Sequence, residues 1–266
     1  MTHATESIQP AVISFAAHAL VLQHRGRLVV DRVSMAFEGT GAVALIGPNG
    51  AGKSSLLTLL AGLQVPHQGN VLCNGQPLNQ LTAQERARRI GYMPQRFQPH
   101  WDITVGELMQ MRLEPAASAT TQLDVHGLAA FARRRWATLS GGEQARCLLG
   151  AVLATDPPVL LADEPGAALD VRHRLDLVHA LAERGRKRLV VVAMHDLELA
   201  LSHFDRVIVL NQGRVVHDRP PAELLADAAL DDVFGVHFER IGAPPDTLLR
   251  ARRKATETEQ GDPHAH

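Results

Sequence analysis

Gly47-Pro48-Asn49-Gly50-Ala51-Gly52-Lys53-Ser54 fits G-x-x-x-x-G-K-[ST], and it lies between an apolar run and a helical pattern. Ala42 to Ile46 predicts a buried strand, and Ser54 to Gly62 predicts a helix closed by glycine. A strand feeding a glycine-rich turn and then a helix aims backbone N–H groups at one point, where the helix dipole also favours negative charge. The chemistry this permits is phosphate binding. Asn49, Gly50, Gly52, Lys53, Ser54 and Ser55 form the expected cradle. Within it Lys53 reaches the β- and γ-phosphates of a nucleotide, and the Ser54 hydroxyl ligates Mg²⁺.

A second group stands at the end of the apolar run Pro158-Val159-Leu160-Leu161-Ala162, which closes in Asp163-Glu164. Strand ends of an open parallel sheet are where ligands bind. Asp163 is expected to hold Mg²⁺ through water. Glu164 points elsewhere and is the candidate general base for an attacking water. A third group, Leu139-Ser140-Gly141-Gly142-Glu143, puts a hydroxyl and exposed N–H groups at a helix start, a further anion-binding surface.

Leu139 to Glu143 is of the signature type of the ATP-binding-cassette (ABC) ATPases, and the other motifs fall in that family's order around it. Gln95 follows an apolar strand as the family's Q-loop glutamine does. Asp170, in Gly166-Ala167-Ala168-Leu169-Asp170, matches the D-loop, and His195, after Val190-Val191-Val192-Ala193-Met194, matches the switch histidine. The resemblance spans about residues 19–238 and is specific, because these motifs occur in one order with compatible spacing. It implies ATP and Mg²⁺ as ligands, with Gln95 touching the metal or the water and His195 contacting the γ-phosphate. It also implies a head-to-tail homodimer in which Ser140, Gly141 and Gly142 of one copy close on the γ-phosphate held by Lys53 of the other, with Asp170 also among the nucleotide-binding residues. The sequence departs from the family at two positions. His24 stands where an aromatic residue usually stacks on adenine, and imidazole offers less area for stacking. Gly166 and Ala167 stand where Thr or Ser is usual, which removes a hydroxyl near the dimer seam.

Within the family the chain most resembles ATPase subunits of importers for iron-siderophore, haem or cobalamin. The resemblance rests on Gly91 to Gln95, Trp101 before Ile103-Thr104-Val105, Leu169 to Leu175, Met194 to Ala200, and Val233 to Val236. It implies separate integral membrane permease subunits as partners, a periplasmic or extracellular solute-binding protein acting indirectly, and a place on the cytoplasmic face of the membrane. Gln95 to Arg112, with Trp101, is expected to face the permease. Zinc, manganese or another small solute is the alternative cargo. A soluble ABC ATPase acting on a macromolecule is the alternative function, although this chain has no coiled-coil insertion or tandem cassette. A small-metabolite kinase leaves Leu139 to Glu143 unexplained.

These groups need a frame to hold them. The 266 residues, 45% of them hydrophobic, suffice for one large α/β domain or a domain with an insertion. The expected fold is a RecA-like P-loop core with an antiparallel β subdomain and an inserted helical subdomain. A leader at 1–17 precedes the ATPase domain at 18–249, which contains the helical insertion at about 96–154. A disordered polar tail is expected at 250–266. His18 to Gln23 and Val33 to Phe37 are expected in a small antiparallel sheet. A formal net charge of −1 argues against a nucleic-acid partner. Cys73 and Cys147 fit no metal or redox spacing and read as buried thiols. Arg133-Arg134-Arg135 reads as a solvated helix end, and His264 and His266 read as part of the polar tail rather than a metal site.

Overall fold

The computed structural model describes residues 13–114, 117–242 and 247–253. Its centre is a six-stranded sheet with the order β10-β9-β3-β8-β7-β6. These strands are β3 (Gly41–Ile46), β6 (Ile90–Met93), β7 (Val159–Asp163), β8 (Leu189–Ala193), β9 (Arg206–Asn211) and β10 (Arg214–Arg219). All pair in parallel except β10, which closes one side antiparallel to β9.

The middle strands carry unbroken apolar runs because both faces are covered. Period-two alternation splits their side chains between two cores. Ala42, Ala44, Ile46, Val190 and Val192 enter one core, while Val43, Leu45, Val191 and Ala193 enter the other. The second core lies under an antiparallel sheet of order β2-β1-β4-β5, formed by β1 (Ser14–His24), β2 (Arg27–Glu38), β4 (Gln68–Cys73) and β5 (Gln76–Pro77). Helix α1 (Lys53–Leu60) fills the space between the sheets with Leu56, Leu57, Leu59 and Leu60. Buried Asp31 ties the two sheets together, accepting from Arg214 Nε at 2.7 Å while its own N–H donates to Gly213 O at 2.8 Å.

The chain leaves the parallel sheet after α2 (Ala83–Arg89) and β6 to build the helical region. That region comprises α3 (Val105–Arg112), α4 (Ala119–Val125) and α5 (Gly141–Leu153). Thr104 and Glu107 form a reciprocal capping box that starts α3. The later part of α5 returns to the main core through Cys147, Leu148, Ala151 and Val152. The closing elements are α6 (Val171–Gly185), α7 (Leu197–His203), α8 (Pro221–Ala226), α9 (Ala229–Phe234) and a hairpin of β11 (Val236–Ile241) with β12 (Leu248–Arg253).

Two expected boundaries shift. Ser14 to Ala17, read as leader, belong to β1, with Phe15 and Ala17 buried. Alanine is a poor strand former, so Ala16, Ala17 and Ala19 hide the alternation. Arg250 to Arg253, read as tail, pair in β12 with Val236 to Glu239. The remaining tail, including His264 and His266, lies outside the described residues. Of the three arginines read as a solvated helix end, Arg133 is exposed, whereas the other two are engaged by carboxylates. Arg134 grips Glu143 with both guanidinium nitrogens, at 2.5 and 3.2 Å, and Arg135 pairs with Asp102 at 3.2 Å.

Candidate active site

Four neighbouring parallel strands, β3, β8, β7 and β6, end on the same edge of the sheet, and each delivers one part of the site. The turn after β3 runs through Gly47 to Gly52 into α1. Gly52 has φ 102°, and a Cβ there would lie 2.4 Å from Val29 O, so only glycine fits this turn. Lys53, buried at 7% exposure, donates from Nζ to Gly47 O at 2.7 Å and to Pro48 O at 3.3 Å. Burial pushes its pKa down, opposed by the charges of Glu164 and Asp163.

Asp163 ends β7 at 4% exposure. Burial holds its pKa above the usual carboxylate range, partly countered by a hydrogen bond from Ser54 and by Lys53. Its Oδ1 is buried and has no hydrogen-bond partner among the described residues. An orphaned carboxylate oxygen beside a serine hydroxyl is an oxygen donor set that fits Mg²⁺.

Glu164 follows with φ 45°, a left-handed conformation for a non-glycine residue, and its N–H donates to Ala193 O at 2.9 Å. This turn sends its carboxylate away from Asp163. Glu164 Oε2 accepts from Gln95 Nε2 at 3.0 Å and lies 3.4 Å from His195 Nδ1. Gln95 comes from the end of β6 and His195 from the end of β8, so three successive strand ends converge on one carboxylate. A cleft of about 590 Å³ is lined by Asn49, Gly50, Gly52, Lys53, Ser54, Ser55, Gln95, Glu164 and His195, together with Ala51 and Val29.

The other expected residues lie elsewhere. His24 is not in the cleft wall, where Val29 of β2 stands instead. Ser140 is the N-cap of α5 and forms a capping box with Glu143, and Gly141 and Gly142 begin that helix. Asp170 caps α6 by accepting from His173 N at 2.9 Å. Within one chain none of these four lines the cleft that holds Lys53. The Ser-x-x-Glu spacing at residues 140–143 was a legible signal for the cap. No local signal marked Val29, which is brought in by sheet pairing.

A family model described as ABC transporter matches residues 30–167, a span that holds the cradle, Gln95, the signature residues and the Asp163-Glu164 strand end. The chain belongs to the ABC transporter family. It is an ATPase of that family. Among curated relatives, the hemin import ATP-binding protein HmuV of Nocardia farcinica is 40% identical, over 87% of this chain and 86% of that protein. The protein of the same name from Rhodococcus jostii is 37% identical, over 91% of this chain and 87% of its own length. Among solved structures, a bacterial Atm1-family ABC exporter with ATP bound aligns at a TM-score of 0.71 and 26% identity, over 81% of this chain. The chain spans 40% of that exporter. The ATP-binding cassette MJ0796, in a dimeric post-hydrolysis state bound to ADP and Pi, aligns at 0.66 and 26% identity, over 78% of this chain and 98% of its own. No helix among the described residues is long and apolar enough to cross a membrane.

Proposed function

We propose that this ABC ATPase works as a homodimer on the cytoplasmic face of a membrane, and that it energises import of haem or a related iron chelate through a separate permease. The observation that carries the site reading is the meeting of Gln95, Glu164 and His195 beside the Lys53 cradle. The cargo reading is supported by the similarity to proteins named for hemin import. A solute-binding protein would act on the permease and not on this chain. The net charge of −1 supports no nucleic-acid partner.

In the mechanism, the N–H groups of Gly50 to Ser55 and the Lys53 ammonium hold the phosphates at the start of α1. Ser54, Asp163 and Gln95 would hold Mg²⁺, which would supply positive charge to offset that developing on the transferred phosphate. Glu164 accepts a proton from the attacking water at Oε2 while Gln95 orients that carboxylate. His195, 56% exposed and beside Glu164, faces the γ-phosphate position and keeps the base aligned. Ser140, Gly141, Gly142 and Asp170 of a second copy complete the site. His24 ends β1, beside the turn that leads into β2, and it is the residue that would stack on the base.

The test uses the Glu164→Gln variant, expressed with its native membranes, loaded with ATP and solubilised gently, with co-purifying proteins identified by mass spectrometry. A polytopic permease is expected, and that permease reconstituted in vesicles with the wild-type ATPase should take up haem when ATP is supplied. Recovery of soluble partners alone would overturn the transporter reading in favour of a macromolecule-remodelling ATPase. Uptake of cobalamin, zinc or manganese in place of haem would overturn the cargo.

A further inference from the structure

The loop from Pro165 to Asp170 lies between two features that belong to different nucleotide sites in a dimer. On one side it abuts the start of α5. A Cβ on Gly141 would lie 3.2 Å from Ala168 Cβ, and one on Gly142 would lie 3.3 Å from Leu169 Cδ2. On the other side it faces the His195-Asp196 turn across a small cavity of about 30 Å³ lined by Glu164, Gly166, Arg174, Met194 and His195 among others.

One side chain spans this gap. Arg174, in the first turn of α6, donates from Nη2 to Leu169 O at 3.1 Å, and its Nη1 lies 3.9 Å from Asp196 Oδ2. Asp196 is itself fixed as the N-cap of α7, accepting from Leu199 N at 3.1 Å. The aliphatic stem of Arg174 runs over Gly166, where an added Cβ would come within 2.9 Å of Arg174 Cγ. Gly166 and Arg174 are therefore matched in size: the stem occupies the space that a side chain at 166 would need. Arg174 Nε is buried without a hydrogen-bond partner among the described residues, although the side chain as a whole is 31% exposed.

We propose that Arg174 is a positioning residue that locks the 165–170 loop to the His195-Asp196 turn, linking the signature end of α5, which serves the partner's nucleotide, to the histidine that serves its own. The inference rests on the dimeric site reading above. A shift in the loop moves Leu169 O and the stem of Arg174 together, and the guanidinium passes that shift to Asp196, one residue from His195. Arginine suits the task because its planar fork addresses a carbonyl and a carboxylate at once, which a lysine ammonium does less well.

The test compares wild type, Arg174→Ala, Arg174→Lys, Gly166→Thr and the Arg174→Ala/Gly166→Thr double variant in the full chain. Each is measured for kcat, KM for ATP, and thermal midpoint. Arg174→Ala is expected to lower kcat about tenfold, as small misplacements of catalytic groups do. KM should change less than about twofold, because Arg174 does not line the cradle. Arg174→Lys should recover part of the loss. Gly166→Thr should lower kcat by displacing the stem, and the double variant should be no worse than Arg174→Ala alone, the signature of one coupled pair. A wild-type kcat in Arg174→Ala would overturn the inference, as would additive losses in the double variant. Should Arg174→Ala fold poorly, Gly166→Thr at an unchanged thermal midpoint decides the matter by the same kcat criterion. Loss of turnover in Glu164→Gln alongside full turnover in Arg174→Ala would remove this inference and leave the site reading intact.

Discussion

Glu164 keeps a left-handed backbone at φ 45°, a conformation that costs a non-glycine residue about 1–3 kcal/mol. The strain buys direction, since it turns the carboxylate toward Gln95 and His195 while Asp163 stays with Ser54. Replacing Glu164 by Gln should leave ATP binding intact and lower turnover by about 10²–10⁴-fold, read in a phosphate-release assay beside calorimetric ATP titration. Near-normal turnover would remove Glu164 as the base. The strain has its own test: Glu164→Gly should be more thermally stable than Glu164→Ala by about 1 kcal/mol, because only glycine adopts this φ freely. At Lys53, removal to Ala should weaken ATP binding by at least about tenfold, through loss of charge-assisted hydrogen bonds to phosphate. Unchanged affinity by calorimetry would refute that role.

Helix α5 shows how an element's end can be held by one ion pair. Arg134 pairs with Glu143, and Glu143 in turn accepts from Ser140 N at 2.8 Å. The Arg134 guanidinium, followed by the Ser140 backbone, lowers the Glu143 pKa from 4.5 to about 2. Because the folded value is depressed, this contribution to stability is present in full above the ordinary value. It is lost as pH falls through the folded one. The stability difference between wild type and Glu143→Gln should therefore shrink between about pH 4.5 and pH 2, measured by denaturant unfolding at each pH. A difference that stays constant through that window would show that the clasp is not ionic. The start of α5 was readable because its cap, its glycines and its helical period agree locally. So were the cradle and the apolar strands β7 and β8, whose both-sided burial writes an unbroken apolar run. What could not be read was set by tertiary contacts that no local pattern specifies. Nothing near Arg134 or Arg174 in sequence names Glu143, Leu169 O or Asp196 as the group it meets. Likewise β12 looked like a charged tail because Leu248 to Arg253 is a strand only by virtue of pairing with β11.

At the scale of the molecule, the site is assembled from strand ends that are far apart in sequence, so ligand binding should stabilise the whole domain. ATP with Mg²⁺ at 100 times its Kd should raise the unfolding free energy of Glu164→Gln by about 2.7 kcal/mol, seen as an upward thermal shift. Chelating the metal should remove turnover and reduce that shift, since Asp163 Oδ1 would again lack a partner; an undiminished shift under chelator would argue against the assignment of Asp163. The same six-stranded sheet has a weak rim. β6 is its shortest strand, four residues long, pairs within the sheet only with β7, and leads through Gln95 to the helices expected to meet the permease. Local opening starts where the fewest bonds must break, so β6 amides should exchange hydrogen for deuterium well before those of β7 and β8. Nucleotide that tightens Gln95 against Glu164 should slow β6 selectively. The rim strand would then act as the clock hand of the cycle, with its exchange rate reporting at each moment whether the cleft is loaded or spent.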